Sequence, residues 1–337
     1  MFKRSATLFL FLSCCLMIFI TCNKESYDDE KLRDYQSTVE TTGSKDIEYF
    51  FFVGKVGRET GLYKYNLNDN KYELSWSVPK ETVVQLSYSN NLKYAFFITA
   101  KKLGIKRGVS FIRSIKLYSL DLSNSSVELI TEIGDAVQLF AYWIDNNYKI
   151  QITRFDMKIA SHINKINQIY SPFGKLIKGD IEKFDFIKDG YPQFEIKSTS
   201  LISHSGNFGI TQSADSVFLS IAGVDGKVFI DSISGEINKV KWNSDESYVF
   251  FKTISVIENK LKKIPSTIYV YDIVNQKIVK KWDDEDKMNF IIANELLIFD
   301  TSFKNQSAIG VYNYKKNEDV SRIQIRGGCG LIYLPNN

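Results

Sequence analysis

The stretch VKWNSDESYVFF at 240–251 recurs along the chain, and this recurrence constrains the fold more than any other feature. It reads as a strand, a polar turn and a second, more apolar strand. Aligned without gaps, LSYSNNLKYAFF at 86–97 places Tyr88 under Trp242, and Tyr94, Phe96 and Phe97 under Tyr248, Phe250 and Phe251. AYWIDNNYKIQI at 141–152 puts Trp143 under Trp242, ITQSADSVFLSI at 210–221 keeps the polar turn, and MNFIIANELLIF at 288–299 matches more loosely. Downstream of each hairpin a third strand of one type follows. LYKYNLNDNKY starts at Leu62, LYSLDLSNSSV at Leu117, VFIDSISGEI at Val228, IYVYDIVNQKI at Ile268 and GVYNYKKNEDV at Gly310, with a weaker IYSPFGKLIKG from Ile169. Alternating apolar and polar residues, a turn of Asn, Asp, Ser or Gly, and renewed alternation spell antiparallel strands. Taking Tyr63, Tyr118, Tyr170, Phe229, Tyr269 and Tyr312 as markers, six units repeat every 40 to 60 residues.

Periods of this size, each spelling about four short strands, point to an all-β chain folded as a six-bladed β-propeller. One blade has two faces to cover, and stacking blades radially buries both. A sandwich is the alternative, but it does not require the same hairpin and third strand to recur in the same order. The long, poorly matching third unit, about 153–208, leaves room for a seventh blade. The final residues LIYLPNN (331–337) match the first strand of a hairpin, whereas IEYFFFV (47–53) matches a second strand, with Tyr49, Phe51 and Phe52 under Tyr248, Phe250 and Phe251. The expectation is closure by pairing the C-terminal strand with the N-terminal blade, which removes exposed edges. Composition agrees: 44% apolar and 14% aromatic residues describe a folded, β-leaning chain, and 337 residues suffice for one large unit.

These hairpins, with an NSDE or SNNL turn before an aromatic strand and then IYVYDIVNQK, resemble the WD40-like repeats of TolB-type propellers, whose turns often read Ser-Pro-Asp-Gly. The resemblance covers nearly all of 47–337 and implies the fold; it says little about activity. The turn's Pro and Gly are missing almost everywhere.

At the other end, Lys3 and Arg4 precede an apolar run and then Ile20-Thr21-Cys22. A charged start and a short apolar segment read as an export signal, too short for a confident membrane span; an uncleaved anchor helix is the alternative. The segment resembles a bacterial lipoprotein signal, which implies cleavage after residue 21, lipidation of Cys22 and attachment to a membrane of the cell envelope. Cys14 and Cys15 compete but would shorten the apolar run too far. Residues 22–46, with seven acidic and four basic side chains, read as an acidic flexible tether, and 47–337 as the propeller domain. The chain carries +4; setting aside Lys3, Arg4 and a tether of net −3 leaves a mildly basic body of about +5. Cys329, in Arg326-Gly-Gly-Cys-Gly-Leu331, reads as a small buried hydrophobe, with a reactive thiol as the alternative.

No G-x-S-x-G, HExxH, P-loop or paired-cysteine spacing occurs, and no cofactor or metal is implied. His162, His204 and Ser205 could supply a base and nucleophile, but SHSGN reads first as a turn. The run Asp283-Asp284-Glu285-Asp286 lacks the spacing of a calcium loop and reads as a solvated loop. The informative feature is the connection between the second and third strands, long and basic in three units: 100–114 with Lys101, Lys102, Lys106, Arg107 and Arg113; 154–168 with Arg154, Lys158 and Lys165; and 255–266 with Lys260, Lys262 and Lys263. Loops on a rigid scaffold are where binding usually resides, although lysines also simply solvate protruding loops. The leading expectation is an exported, lipid-anchored, monomeric binding or scaffolding module. Its basic loop face would capture a protein or an anionic glycan, and nucleic acid is not expected. The alternative is a hydrolase or lyase acting on an envelope or extracellular polymer, with carboxylates from several blades converging in the central channel.

Overall fold

A computed structural model describes residues 47–331, apart from 90–91, 107–108, 145–148, 160–161, 185–200, 234, 255–265, 285–288 and 305. The expected signal, Cys22 and tether lie outside the described residues. Among the latter there is no helix, and the strands form six antiparallel sheets.

The sheets follow one another along the chain. The first orders β24 (Cys329–Gly330), β1 (Tyr49–Val56), β2 (Glu59–Asn66) and β3 (Lys71–Trp76). The second contains β4 (Thr82–Tyr88), β5 (Tyr94–Ala100), β6 (Lys102–Lys106), β7 (Val109–Asp121) and β8 (Val127–Ala136). The third runs β9 (Gln138–Ile144), β10 (Lys149–Ile159), β11 (His162–Tyr170) and β12 (Leu176–Phe184). The fourth holds β13 (Phe208–Ser213), β14 (Ser216–Ile221) and β15 (Lys227–Ser232). The fifth runs β16 (Glu236–Trp242), β17 (Tyr248–Ile254), β18 (Ser266–Asp272) and β19 (Lys277–Asp284), and the sixth β20 (Phe290–Ala293), β21 (Leu296–Phe303), β22 (Gln306–Asn313) and β23 (Glu318–Ile323).

Burial tells the inside of this arrangement from the outside. The first strand β20 is buried throughout and β4 mostly so, β9 is half-buried, and fourth strands such as β3 and β23 are largely exposed. Between most neighbouring sheets, the cores are shared. One apolar cluster joins the sixth, first and second sheets through Ile298, Phe51 and Leu86; others join the second to the third, the fourth to the fifth, and the fifth to the sixth. The first three sheets and the last three therefore pack side to side in chain order, and the last lies against the first. β24 pairs antiparallel with β1, Gly330 opposite Val53 and Cys329 opposite Gly54, while residues 332–337 lie outside the description.

The aromatic repeat has a packing cause. Phe52, Phe97 and Phe251 on second strands stack face to face on Tyr63, Tyr118 and Tyr269 directly opposite on third strands, with centroids 5.5, 4.9 and 4.5 Å apart. Such cross-strand pairs add to burial. Trp76, closing the first sheet, packs on the second sheet's Phe97 and Tyr118; Trp282 does the same to Phe299 and Tyr312 of the sixth. Aromatic contact thus operates within sheets and between them.

One unit is corrected in register. Residues 210–221 were expected as first and second strands, but β13 and β14 are the second and third. The first-strand position is taken by the bridge of Ile202 to Gly209, and Val228 and Phe229 lie on the outer strand β15, where Phe229 is exposed. The true hairpin turn is Ser203-His204-Ser205-Gly206-Asn207. Its Ser203 N–H donates to Phe208 O as Ser89 N–H does to Tyr94 O and Asn243 N–H to Tyr248 O. The poorly matching third unit forms an ordinary four-stranded sheet over 138–184, and 185–200, where an extra blade was considered, lie outside the description.

Candidate functional site

Two of the three basic connections are described, and neither is an irregular loop. In the first, β6 folds back on the opening half of the long strand β7, with Lys102 opposite Arg113 and Lys106 opposite Val109, so a ribbon extends beyond the four-stranded sheet. Alternation in KLGIK and VSFIRS supports this pairing, but the basic residues masked it. Lys101 and Arg113 are exposed, and the Arg113 guanidinium lies 5.3 Å from the Phe111 ring. The second is the hairpin of β10 and β11, where Arg154 faces Ile166 across the ladder. Arg154 is half-buried and donates from Nη1 to Asp135 O at 3.2 Å, so it ties the third sheet to the second. Lys165 pairs with Glu182 at 3.1 Å. Lys106 and Lys158 are placed on strands by their backbones alone, and Arg107, Lys260, Lys262 and Lys263 lie outside the described residues.

A buried carboxylate sits at the root of the first ribbon. Glu81, 2% exposed, accepts from Lys116 Nζ at 2.8 Å and Thr99 Oγ1 at 2.9 Å. Burial works to raise its pKa, but these bonds and the charges of Lys116 and Lys101 outweigh it and hold the carboxyl below its ordinary value.

A second basic group escaped the sequence reading. On β16 and β17, Lys239 stands opposite Lys252, and Lys241 follows two residues on, opposite Phe250, so all three share the face turned to the sixth sheet. Lys239 Nζ donates to Asn289 Oδ1 and, at 2.6 Å, to Phe290 O. Asp300 comes from β21 and accepts the Leu331 N–H at 2.5 Å. Tyr88 approaches from the second sheet, donating to Phe51 O and accepting from Phe51 N–H at 2.8 Å. Lys252 is only 6% exposed, and Lys239 and Lys241 are half-buried. Burial pushes the Lys241 and Lys252 pKa values down to about 8, with Asp300 partly offsetting the effect at Lys252. For Lys239, burial and then the charges of Lys241 and Lys252 drive it well below the lysine range. The available signal was the i, i+2 lysine pair inside an otherwise apolar strand, which sequence alone cannot assign to an inner or outer face.

The other residues considered fall into structural roles. Ser205 donates from its N–H at 2.7 Å and its hydroxyl at 2.5 Å to Glu246, locking the fourth sheet's turn to the fifth's. Burial raises the Glu246 pKa, but the Ser205 bonds overcome this and hold it low. Asp283 accepts from Thr267 Oγ1 at 3.0 Å within the fifth sheet. Cys329 is fully buried, and burial pushes its thiol up to about 12, as suits a small hydrophobe. Among the described residues no group of three or more His, Cys, Asp or Glu side chains gathers; what the inner strands bring together is lysine. A cleft of about 430 Å³ lies farther out, lined by Trp282, Phe299, Phe303, Asp319 and Arg322. There Gly310 is obligatory, since an added Cβ would sit 2.6 Å from the Phe299 ring.

Consecutive antiparallel sheets of three to five strands, with exposed fourth strands such as β3 and β23 and apolar cores shared between neighbouring sheets, define a β-propeller. No protein-family model and no curated protein matches the sequence. Among solved structures, the chain is similar to apo AztD from Citrobacter koseri (10% identity, 84% of this chain and 96% of that one, TM-score 0.35). It is also similar to the β-propeller domain of the Trilobed protease from Pyrococcus furiosus (12% identity, 81% and 80%, TM-score 0.31). A third is TolB from Acinetobacter baumannii (11% identity, 84% and 53%, TM-score 0.27), of which this chain spans about half. The fold assignment rests on the sheets themselves.

Proposed function

We propose that this protein is a binding or scaffolding propeller whose basic hairpin edge captures an anionic partner at the cell envelope. The supporting observation is the β6–β7 ribbon. It projects beyond its sheet, presents Lys101 and Arg113 to solvent and sets Lys102 opposite Arg113, while its root is neutralised internally by Glu81 and Lys116. The exposed charge of Lys101 and Arg113 is then left for a partner. In this reading the same partner is also met by Lys158 on the β10–β11 hairpin and by Lys260, Lys262 and Lys263, which lie outside the described residues. Arg154 contributes there as a brace between sheets. The propeller is six-bladed and monomeric, closed through β24, and held to the envelope membrane by acyl chains on Cys22 through the tether of 22–46. More than one chain is needed for stable anchoring.

The test is capture of the full chain on an immobilised acidic polysaccharide across a salt series. Lys101→Glu, Lys102→Glu, Lys106→Glu and Arg113→Glu together are expected to abolish capture at low salt without altering the unfolding transition. Equal capture by the variant defeats the charged-edge reading. Mass spectrometry of the mature N-terminus is expected to find an acylated Cys22, and a free Asn23 or an intact Met1 contradicts the anchor.

A further inference from the structure

We propose that Lys239, Lys241 and Lys252 form a binding site for a small oxyanion carrying two negative charges, of the phosphate class. The site is separate from the hairpin edge. Its three ammonium groups lie on one face of two adjacent strands, with Lys239 and Lys252 cross-strand partners and Lys241 two residues further along. The carboxylate whose charge reaches Lys239 and Lys252 is Asp300 on β21, and Tyr88 on β4 and Cys329 on β24 lie near enough to Asp300 to feel its charge. Burial raises the pKa of both Tyr88 and Cys329, so neither carries charge at neutral pH. Three lysines therefore meet one carboxylate, and with all three protonated the surplus of positive charge matches a doubly ionised oxyanion.

The donors are arranged for such a ligand. Lys239 is fixed by Asn289 and Phe290, and its Nζ lies 4.5 Å from the Phe290 ring centroid. Lys241 makes no hydrogen bond or ion pair among the described residues and keeps access to solvent, which leaves its ammonium to donate outward. Lysine is a compact point charge suited to a tetrahedral oxyanion, whereas a planar carboxylate favours the fork of arginine, and no arginine is among the groups facing this cluster. An enclosed cluster of like charges lowers the proton affinity of each member, and a bound anion restores it. Empty, the site gives up protons more readily than ordinary lysines do; occupied, it holds them.

Isothermal titration calorimetry on the full chain at low ionic strength tests this, with inorganic sulfate and glycerol phosphate as probes. Sulfate keeps its charge between pH 7 and 9, so weaker binding at pH 9 reports the lysines. One saturable site is expected, weakened on the order of tenfold or more in Lys241→Met. Binding of both probes means that the site admits a phosphomonoester, and binding of sulfate alone means a free ion; either supports the proposal. The absence of saturable binding, or equal affinity in a folded Lys241→Met, overturns it. Should that variant not fold, amine acetylation of the wild type read by mass spectrometry replaces it: saturating sulfate is expected to protect Lys241, and unprotected labelling overturns the proposal. Lys101→Glu retains sulfate affinity if the two sites are independent, so this reading and the hairpin reading fail separately.

Discussion

At the scale of single residues, the hairpin turns show how one backbone geometry survives without its usual side chains. Gly206, Leu92 and Glu246 hold equivalent turn positions, each donating its N–H back to Ser203, Ser89 or Asn243, and all three have positive φ, at 76°, 54° and 54°. The Ser-Pro-Asp-Gly turn that these hairpins resemble puts glycine there, and only one of these turns has it. The side chain of the leading residue makes up part of the difference: Ser203 Oγ, Ser89 Oγ and Asn243 Oδ1 each accept the N–H at the start of the second strand. An added Cβ on Gly206 meets nothing within 4 Å, so Gly206→Ala carries a conformational cost alone. We expect a loss of about 1 kcal/mol by denaturant unfolding, and a smaller one for Gly206→Asn, since Asn tolerates this region. The offset of the fourth unit has the same origin. SHSGN contains the turn and Phe208 stands where Tyr94 and Tyr248 do, but Ile202 replaces the aromatic of Tyr88 and Trp242, and Ile210-Thr211 replace the paired phenylalanines, so the alignment slid by one strand.

At the scale of elements, the β6–β7 ribbon was legible as a basic insertion but not as a strand pair. Its charged residues alternate with Leu103, Ile105, Phe111 and Ile112, and either a loop or a ribbon satisfies that pattern until the register is fixed by β5 and β8 on the other half of β7. Glu81 is the internal partner of that root. In Glu81→Gln, Lys116 and Thr99 lose a charged acceptor, and the expected cost is about 2 to 3 kcal/mol. Because the folded carboxyl titrates below its ordinary value of 4.5, its contribution is complete above that value and is lost as pH falls beneath it. Wild type and Glu81→Gln should therefore converge in melting temperature on acidification, and a gap that persists unchanged at low pH would count against the pairing. The inner lysines follow the opposite logic: with pKa values down to about 8 at Lys241 and Lys252, the protonated forms are the unfavourable ones in the folded chain.

At the scale of the whole molecule, the pairing of β24 with β1 carries the most weight. Cys329 and Leu331 are fully buried, and Leu331 N–H is held by Asp300 of the sixth sheet, so this short strand binds the first and last sheets together. Leu331→Ala is expected to cost about 2 to 3 kcal/mol. Truncation before Gly328 should uncover the β1 edge and broaden or abolish the cooperative unfolding transition; an unchanged melting curve would show that closure contributes nothing. Sequence alone determined the periodicity, because each sheet buries an aromatic second strand against a third strand of fixed alternation, and those local requirements recur as a readable pattern. Only the tertiary structure decided which lysines face inward, because Lys239, Lys241, Lys252 and Asp300 meet across separate sheets. Strand alternation gives a side, but whether that side is solvent or an enclosed space depends on the neighbouring sheet, which no local stretch encodes.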